Sequence, residues 1–114
     1  MAWFAGIASG DLYLSVIVIG ELRKGLEMQR LKQPLIASQY EIKFDALVQA
    51  YASRILPFDL DAAQLWGHFM ATKADRAAED LQIAAIAASR AMTVVTRNVK
   101  HFRDLPVPVF DPFY

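Results

Sequence analysis

The sequence contains no cysteine, which excludes disulfides, thiolate zinc sites and cysteine nucleophiles. Any metal must therefore be held by oxygen ligands or by the two histidines, His68 and His101. Net charge is also missing: 12 Lys and Arg offset 12 Asp and Glu, so no global basic field draws nucleic acid and any such binding must be local. No apolar run approaches the roughly 20 residues that a membrane span needs. The best one, Leu12 to Gly20, stops at Glu21. The N-terminus shows no basic region followed by an apolar segment and a small-residue cleavage site, so a cytoplasmic protein is expected. Repeats, linkers and low-complexity segments are lacking too. So is a Gly-rich phosphate loop, which leaves a nucleotide-binding or receiver-like module without support.

What is present is apolar bulk. With 114 residues the chain makes one domain with one core, and 55% of it is hydrophobic, much of that alanine at helical spacing. This composition suits deeply buried helices, or a surface that meets a partner.

The order of elements follows from periodicity. Trp3, Phe4 and Ile7 share a helical face ahead of the breaker Ser9-Gly10-Asp11, so the chain is read as opening on the tail of a helix. Leu12 to Val16 has the make-up of a short buried strand, and a helix is expected from Ile19 to about Lys32, with Ser15 or a neighbour as its cap. Pro34 punctuates the chain. Ile36, Tyr40, Phe44, Leu47, Val48 and Tyr51 then repeat at three and four residues, predicting a second long helix that packs on the first as a hairpin. Arg54 to Phe58 reads as an edge strand marked by Pro57, with Asp59 or Asp61 capping the next helix, which turns Leu65, Trp66, Phe69 and Met70 inward. A loop at Lys73 to Arg76 precedes an alanine-rich helix from Leu81 to Met92, opened by Glu79 and Asp80. Thr93 to Thr96 is a β-branched strand covered on both faces, a helical turn runs to Phe102, and Val107 to Phe110 offers a last short strand. Strands alternating with helices predict an α/β fold, a parallel sheet in a three-layer α/β/α sandwich, with function at the carboxyl ends of the strands.

Three polar residues fall at that edge: Glu21, Asp80 and Asn98. Clustered carboxylates repel unless a divalent cation neutralises them, and hard oxygen ligands with open water positions suit Mg²⁺ or Mn²⁺. Such a metal activates water against a phosphodiester. Each residue also has a plainer reading. Asp80 suits a helix cap or a first-turn acid, Asn98 an ordinary turn, and Glu21 a solvated helix flank, although Glu21 interrupts the apolar passage Val16 to Leu22. His68 lies among Trp66, Phe69 and Met70 and receives no role. His101 belongs to a short basic run, Arg97 to Arg103, that suits either phosphate contact or a solvated turn. Arg23, Lys24, Arg30, Lys73 and Arg76 are read mainly as solubilising charges.

The passage Leu-Tyr-Leu-Ser-Val-Ile-Val-Ile-Gly-Glu-Leu-Arg-Lys-Gly at residues 12 to 25 resembles the second strand and following helix of PIN-domain ribonucleases of the VapC toxin type. Residues 54–59, 79–87 and 94–102 resemble later segments of that family in the same order, so the likeness covers essentially the whole chain as a single PIN-like domain, residues 1–114.

The resemblance implies a Mg²⁺- or Mn²⁺-dependent endoribonuclease, the toxin of a type II toxin–antitoxin system. Glu21 and Asp80 stand at the family's second and third acidic positions, as metal ligands. Asn98 stands where many members have a fourth acid, as an auxiliary catalytic group. It further implies an RNA substrate, a cognate VapB-type antitoxin whose tail covers the acidic site, and a homodimer. The family's first acid lies in an Asp-Thr-Asn motif on an N-terminal strand, and no such motif occurs before Trp3. The expectation is therefore an N-terminally incomplete domain whose central first strand is absent. A noncatalytic remnant that retains only antitoxin binding or self-association is the alternative.

Overall fold

In a computed structural model the described residues are 12–96 and 98–111. The helical tail expected around Trp3 to Ile7 lies outside them, as does Arg97.

Strand β1 spans only Leu14–Ser15, and helix α1 begins at once, running Val16–Lys32. The helix starts three residues before the expected Ile19 because Ser15 caps it: the Val18 amide donates to Ser15 Oγ at 3.1 Å. A side-chain oxygen that satisfies an orphan amide outweighs the modest helix cost of Val16, Ile17 and Val18. Glu21 consequently stands on the second turn of α1.

After Gln33, helix α2 spans Pro34–Ala50, with proline at its first position, where the missing N–H is no loss. The expected hairpin forms, and Arg30 bridges Glu27 on its own helix and Glu41 on α2. A 3-10 turn, Ala52–Arg54, leads into β2, Ile55–Leu56. Helix α3, Leu60–Thr72, is capped by Asp59, whose Oδ1 accepts from the Ala62 amide at 3.0 Å, settling the choice between Asp59 and Asp61. Its inward residues are Phe69, Leu65 and Trp66, while Met70 stays outside the core at 37% exposure, contrary to expectation.

Helix α4, Ala78–Ser89, is the centre of the molecule. Leu81, Ile83, Ala84, Ala85, Ile86 and Ala87 are all buried, and Leu81, Ala84 and Ala85 are completely so. Alanine allows close approach, and α4 packs extensively on α3 and also meets α1, β3 and the 3-10 turn beyond it. Each fully buried Leu or Ile here contributes about 1.5–3 kcal/mol.

The helix ends at Ser89 instead of Met92. Ala91 sits at φ 54°, and the Met92 and Ala91 amides bond back to Ala87 O (2.9 Å) and Ala88 O (3.2 Å), a Schellman closure usually built on glycine. Arg90 holds the neighbouring backbone by reaching Pro57 O at 3.3 Å and Asp59 at 2.9 Å. Strand β3 (Val94–Val95), a 3-10 turn (Val99–Phe102) and β4 (Val109–Phe110) complete the fold.

The strand pairs among the described residues are parallel, as expected, with Leu14 opposite Ile55 and Val94 opposite Val109. The strands do not form one sheet: among the described residues β1 pairs only with β2 and β3 only with β4. The core divides in the same way. One cluster gathers Val18, Phe69, α4, Val94, Phe102, Leu105 and Val107, and a smaller one joins Leu12, Leu14 and Tyr51.

Two substitutions test these closures by urea denaturation. Ser15→Ala removes the cap of α1 and should cost about 1 kcal/mol. Ala91→Gly relieves the left-handed backbone and should stabilise the chain by up to about 1 kcal/mol.

Candidate metal-binding nuclease site

Two carboxylates lie within electrostatic range of each other, on elements packed into the larger core. Glu21 comes from α1, whose Ile17, Val18 and Leu22 are packed into that core. Asp80 comes from the first turn of α4, immediately before the fully buried Leu81. Asp80 does not cap the helix: the N-cap position is Ala77, with no side-chain cap bond. The first-turn acids Glu79 and Asp80 still face the positive end of the helix dipole.

The carboxyl group of Glu21 holds its proton more tightly than usual: its pKa is raised, first by desolvation and then by repulsion from Asp80 and Glu79, with Lys24 acting in the opposite sense. Glu21 is partly buried and close enough to Asp80 to feel its charge. Asp80 is itself largely covered, with 18% of its side chain exposed, and Nδ1 of His101 lies 3.3 Å from its Oδ2.

Asn98 stands at the head of the 3-10 turn that carries His101. Its amide donates to Oγ1 of the fully buried Thr96 at 3.0 Å, and its carbonyl accepts from the His101 amide at 3.0 Å. Asn98 is exposed and makes no side-chain cap bond, so its link to Asp80 runs through the backbone of the turn and the imidazole of His101. His101 was legible only as part of a basic run. Its sequence distance of 21 positions from Asp80 gave no hint of contact. His68 is exposed on α3, tilted against Phe69.

The donor set fits a hard cation of the Mg²⁺ type. Such an ion is commonly held by one or two carboxylates and keeps its remaining positions for water and phosphate oxygens. Two mutually repelling carboxylates, one of them desolvated, are relieved by such a charge. Among the described residues no group of three or more His, Cys, Asp or Glu gathers into a full protein cage, so Glu21 and Asp80 would hold the ion as an open pair.

Beside Glu21 a cleft of about 530 Å³ runs between α1 and α2, walled by Leu22, Leu26, Tyr40, Phe44 and Leu47, with Lys43 at its margin. Most guanidinium groups outside it are engaged in ion pairs: Arg23 with Glu27, Arg76 with Asp75 and Asp104, and Arg90 with Asp59. No helix among the described residues is long and apolar enough to cross a membrane.

An α/β fold with short parallel strands and helices packed around a buried alanine-rich helix defines the class. Within it the sequence matches the PIN domain over residues 1–107, and the chain belongs to that family. It is 32% identical to toxin FitB of Neisseria gonorrhoeae over 120 residues, covering all of this chain and 84% of that protein. It is 31% identical to VapC ribonuclease Y4jK of Sinorhizobium fredii, covering 99% and 83% respectively. Among solved structures it resembles FitAcB from Neisseria gonorrhoeae (TM-score 0.71, 30% identity, 98% of this chain and 83% of that one). It also resembles the toxin–antitoxin complex VapBC-5 from Mycobacterium tuberculosis (TM-score 0.70, 28% identity, 86% and 79%).

The raised acidity constant of Glu21 carries a stability signature. A carboxyl group whose folded value lies above its unfolded one costs stability as pH rises from the ordinary value of 4.5 through the folded value. Glu21→Gln should therefore raise the thermal midpoint of the metal-free chain at pH 7. The difference should vanish near pH 4, where both states carry the proton, as melts at the two pH values would show.

Proposed function

We propose that this chain is the toxin of a toxin–antitoxin pair and a Mg²⁺- or Mn²⁺-dependent endoribonuclease acting in the cytoplasm. The observation that carries the reading is the placement of partly buried Glu21 on α1 within electrostatic range of Asp80 at the head of α4, two acids of a kind that a divalent cation would relieve. Family membership and the named ribonuclease relative support the chemistry.

Glu21 and Asp80 would hold the ion, and Asn98, on the neighbouring turn, serves as an auxiliary ligand or water-positioning amide. When bound, a divalent cation supplies Lewis acidity and activates water at neutral pH. The chain contributes the rest. α4 fixes Asp80 by burying Leu81 beside it, the Ser15 cap fixes the turn that bears Glu21, and the apolar wall of Leu22 and Phe44 limits water on one side. Lys24 and Lys43, on the same side as Glu21, offer local positive charge to an RNA phosphate in a chain with no net charge.

The partner reading follows from the same surface. The cleft between α1 and α2 suits an apolar antitoxin segment that ends over Glu21, and FitAcB and VapBC-5 resemble this chain over most of their lengths. Leu31, Leu35 and Ile42, strongly exposed on the hairpin, leave apolar area for the proposed homodimer.

The second reading, association without catalysis, is favoured by one observation: among the described residues no three His, Cys, Asp or Glu side chains are arranged to hold a metal together. A cleavage assay separates the two. With Mn²⁺ or Mg²⁺ and a structured RNA, the parent chain is expected to cut in a chelator-sensitive way. Glu21→Gln and Asp80→Asn should each reduce the rate at least about tenfold, because removing a ligand costs no less than removing a group that merely orients one. Cleavage undiminished in both variants would sink the site assignment. Antitoxin capture without any cleavage would establish the second reading.

A further inference from the structure

His101 is the polar residue at this site that neither the metal chemistry nor the fold explains. Its backbone is fixed from several directions. Its amide donates to Asn98 O at 3.0 Å, its carbonyl accepts from Arg76 Nη1 at 3.0 Å, and the next residue, Phe102, is 2% exposed in the core. Arg76 is in turn held near Asp75 and Asp104, at 3.7 and 4.0 Å, with only 17% of its side chain exposed. An imidazole carried on so constrained a turn has few places to go, and Nδ1 stands 3.3 Å from Asp80 Oδ2.

As a contribution to stability, that approach is small. His101 is 43% exposed, and partly solvated pairs of this kind are worth about 0–1 kcal/mol. Its consequence for geometry is larger. Asp80 lies beside Glu79 in the first turn of α4 and within electrostatic range of Glu21, so repulsion from these acids favours a carboxylate rotamer turned away from them. The imidazole opposes that rotation by occupying the Oδ2 side and leaving Oδ1 as the oxygen without this neighbour.

We propose that His101 is a positioning residue for the Asp80 carboxylate, held in place by Arg76 and the Asn98 turn, and that it sets the affinity of the acidic pair for its cation. The inference rests on the reading of Glu21 and Asp80 as cation ligands. It assigns His101 no contact with RNA and no direct ligation.

The experiment measures Mn²⁺ affinity of the full chain by titration calorimetry, together with the thermal midpoint of each metal-free protein. The parent, Asp80→Asn, His101→Ala and His101→Asn are compared. Asparagine places an amide near the position of Nδ1, so it restores the contact without the ring. The expected result is loss of binding in Asp80→Asn, about tenfold weaker binding in His101→Ala, and recovery to within about threefold of the parent in His101→Asn. The metal-free midpoints of the two His101 variants should be nearly equal.

If His101→Ala binds Mn²⁺ as tightly as the parent while Asp80→Asn does not, the positioning role is overturned and the cation site stands. If His101→Ala and His101→Asn are weakened alike, the imidazole is not acting through the Asp80 contact and the proposal is likewise overturned. If Asp80→Asn binds as the parent does, or the parent binds no Mn²⁺ at all, the reading of the acidic pair fails and takes this proposal with it.

Discussion

The burial of α4 is the constraint on which the rest of the structure depends. A helix of alanine, leucine and isoleucine with almost no polar face can lie only in the interior, and α1, α3, β3 and the 3-10 turn before Leu105 all pack around it. Its acidic residues are confined to the first turn, where the helix dipole favours them. The burial of Leu81 places the backbone of Asp80 there, and its carboxylate lies against His101. The carboxylate pair is therefore a by-product of packing, and its electrostatic strain is sustained by the apolar area buried around it.

The same packing gives the site its economy of charge. The chain carries no net charge, and the guanidinium groups of Arg23, Arg30, Arg76 and Arg90 are all drawn into pairs with acids. Glu21 differs, because its surroundings raise its proton affinity instead of lowering it. A carboxylate that resists ionisation and has another acid for a neighbour is a poor structural element and a good receptor for a small cation. Arg76 serves that arrangement at one remove, since it fixes the backbone of the turn that brings an imidazole to Asp80.

Much of this was visible in the residues. The hairpin of α1 and α2, the helix capped at Asp59, the alanine-rich helix and the parallel character of the strands follow from periodicity and caps, and the structure has them. The misses have local causes. Val16 reads as the end of the strand, and Ile17 and Val18 fall before the expected helix start at Ile19, yet a cap from Ser15 claims all three for the helix. The end of α4 was placed at Met92 because nothing marked Ala91 as left-handed, a conformation that glycine signals and alanine conceals. Met70 has the right spacing for the core but lies on the outer flank of α3, which periodicity alone does not orient.

The sequence by itself determined the family, the order of elements and the residue types available for chemistry, because these depend on short-range patterns of apolar and polar side chains. It also singled out Glu21, since an acid inside an apolar passage is conspicuous before anything is folded. Only the tertiary structure decided what Glu21 faces, because Asp80 and His101 are distant in the chain and meet through the packing of α4 against α1 and the 3-10 turn. It also decided that the described strands form two parallel pairs instead of one sheet. Strand partners are chosen by long-range backbone hydrogen bonds, which side-chain periodicity does not encode.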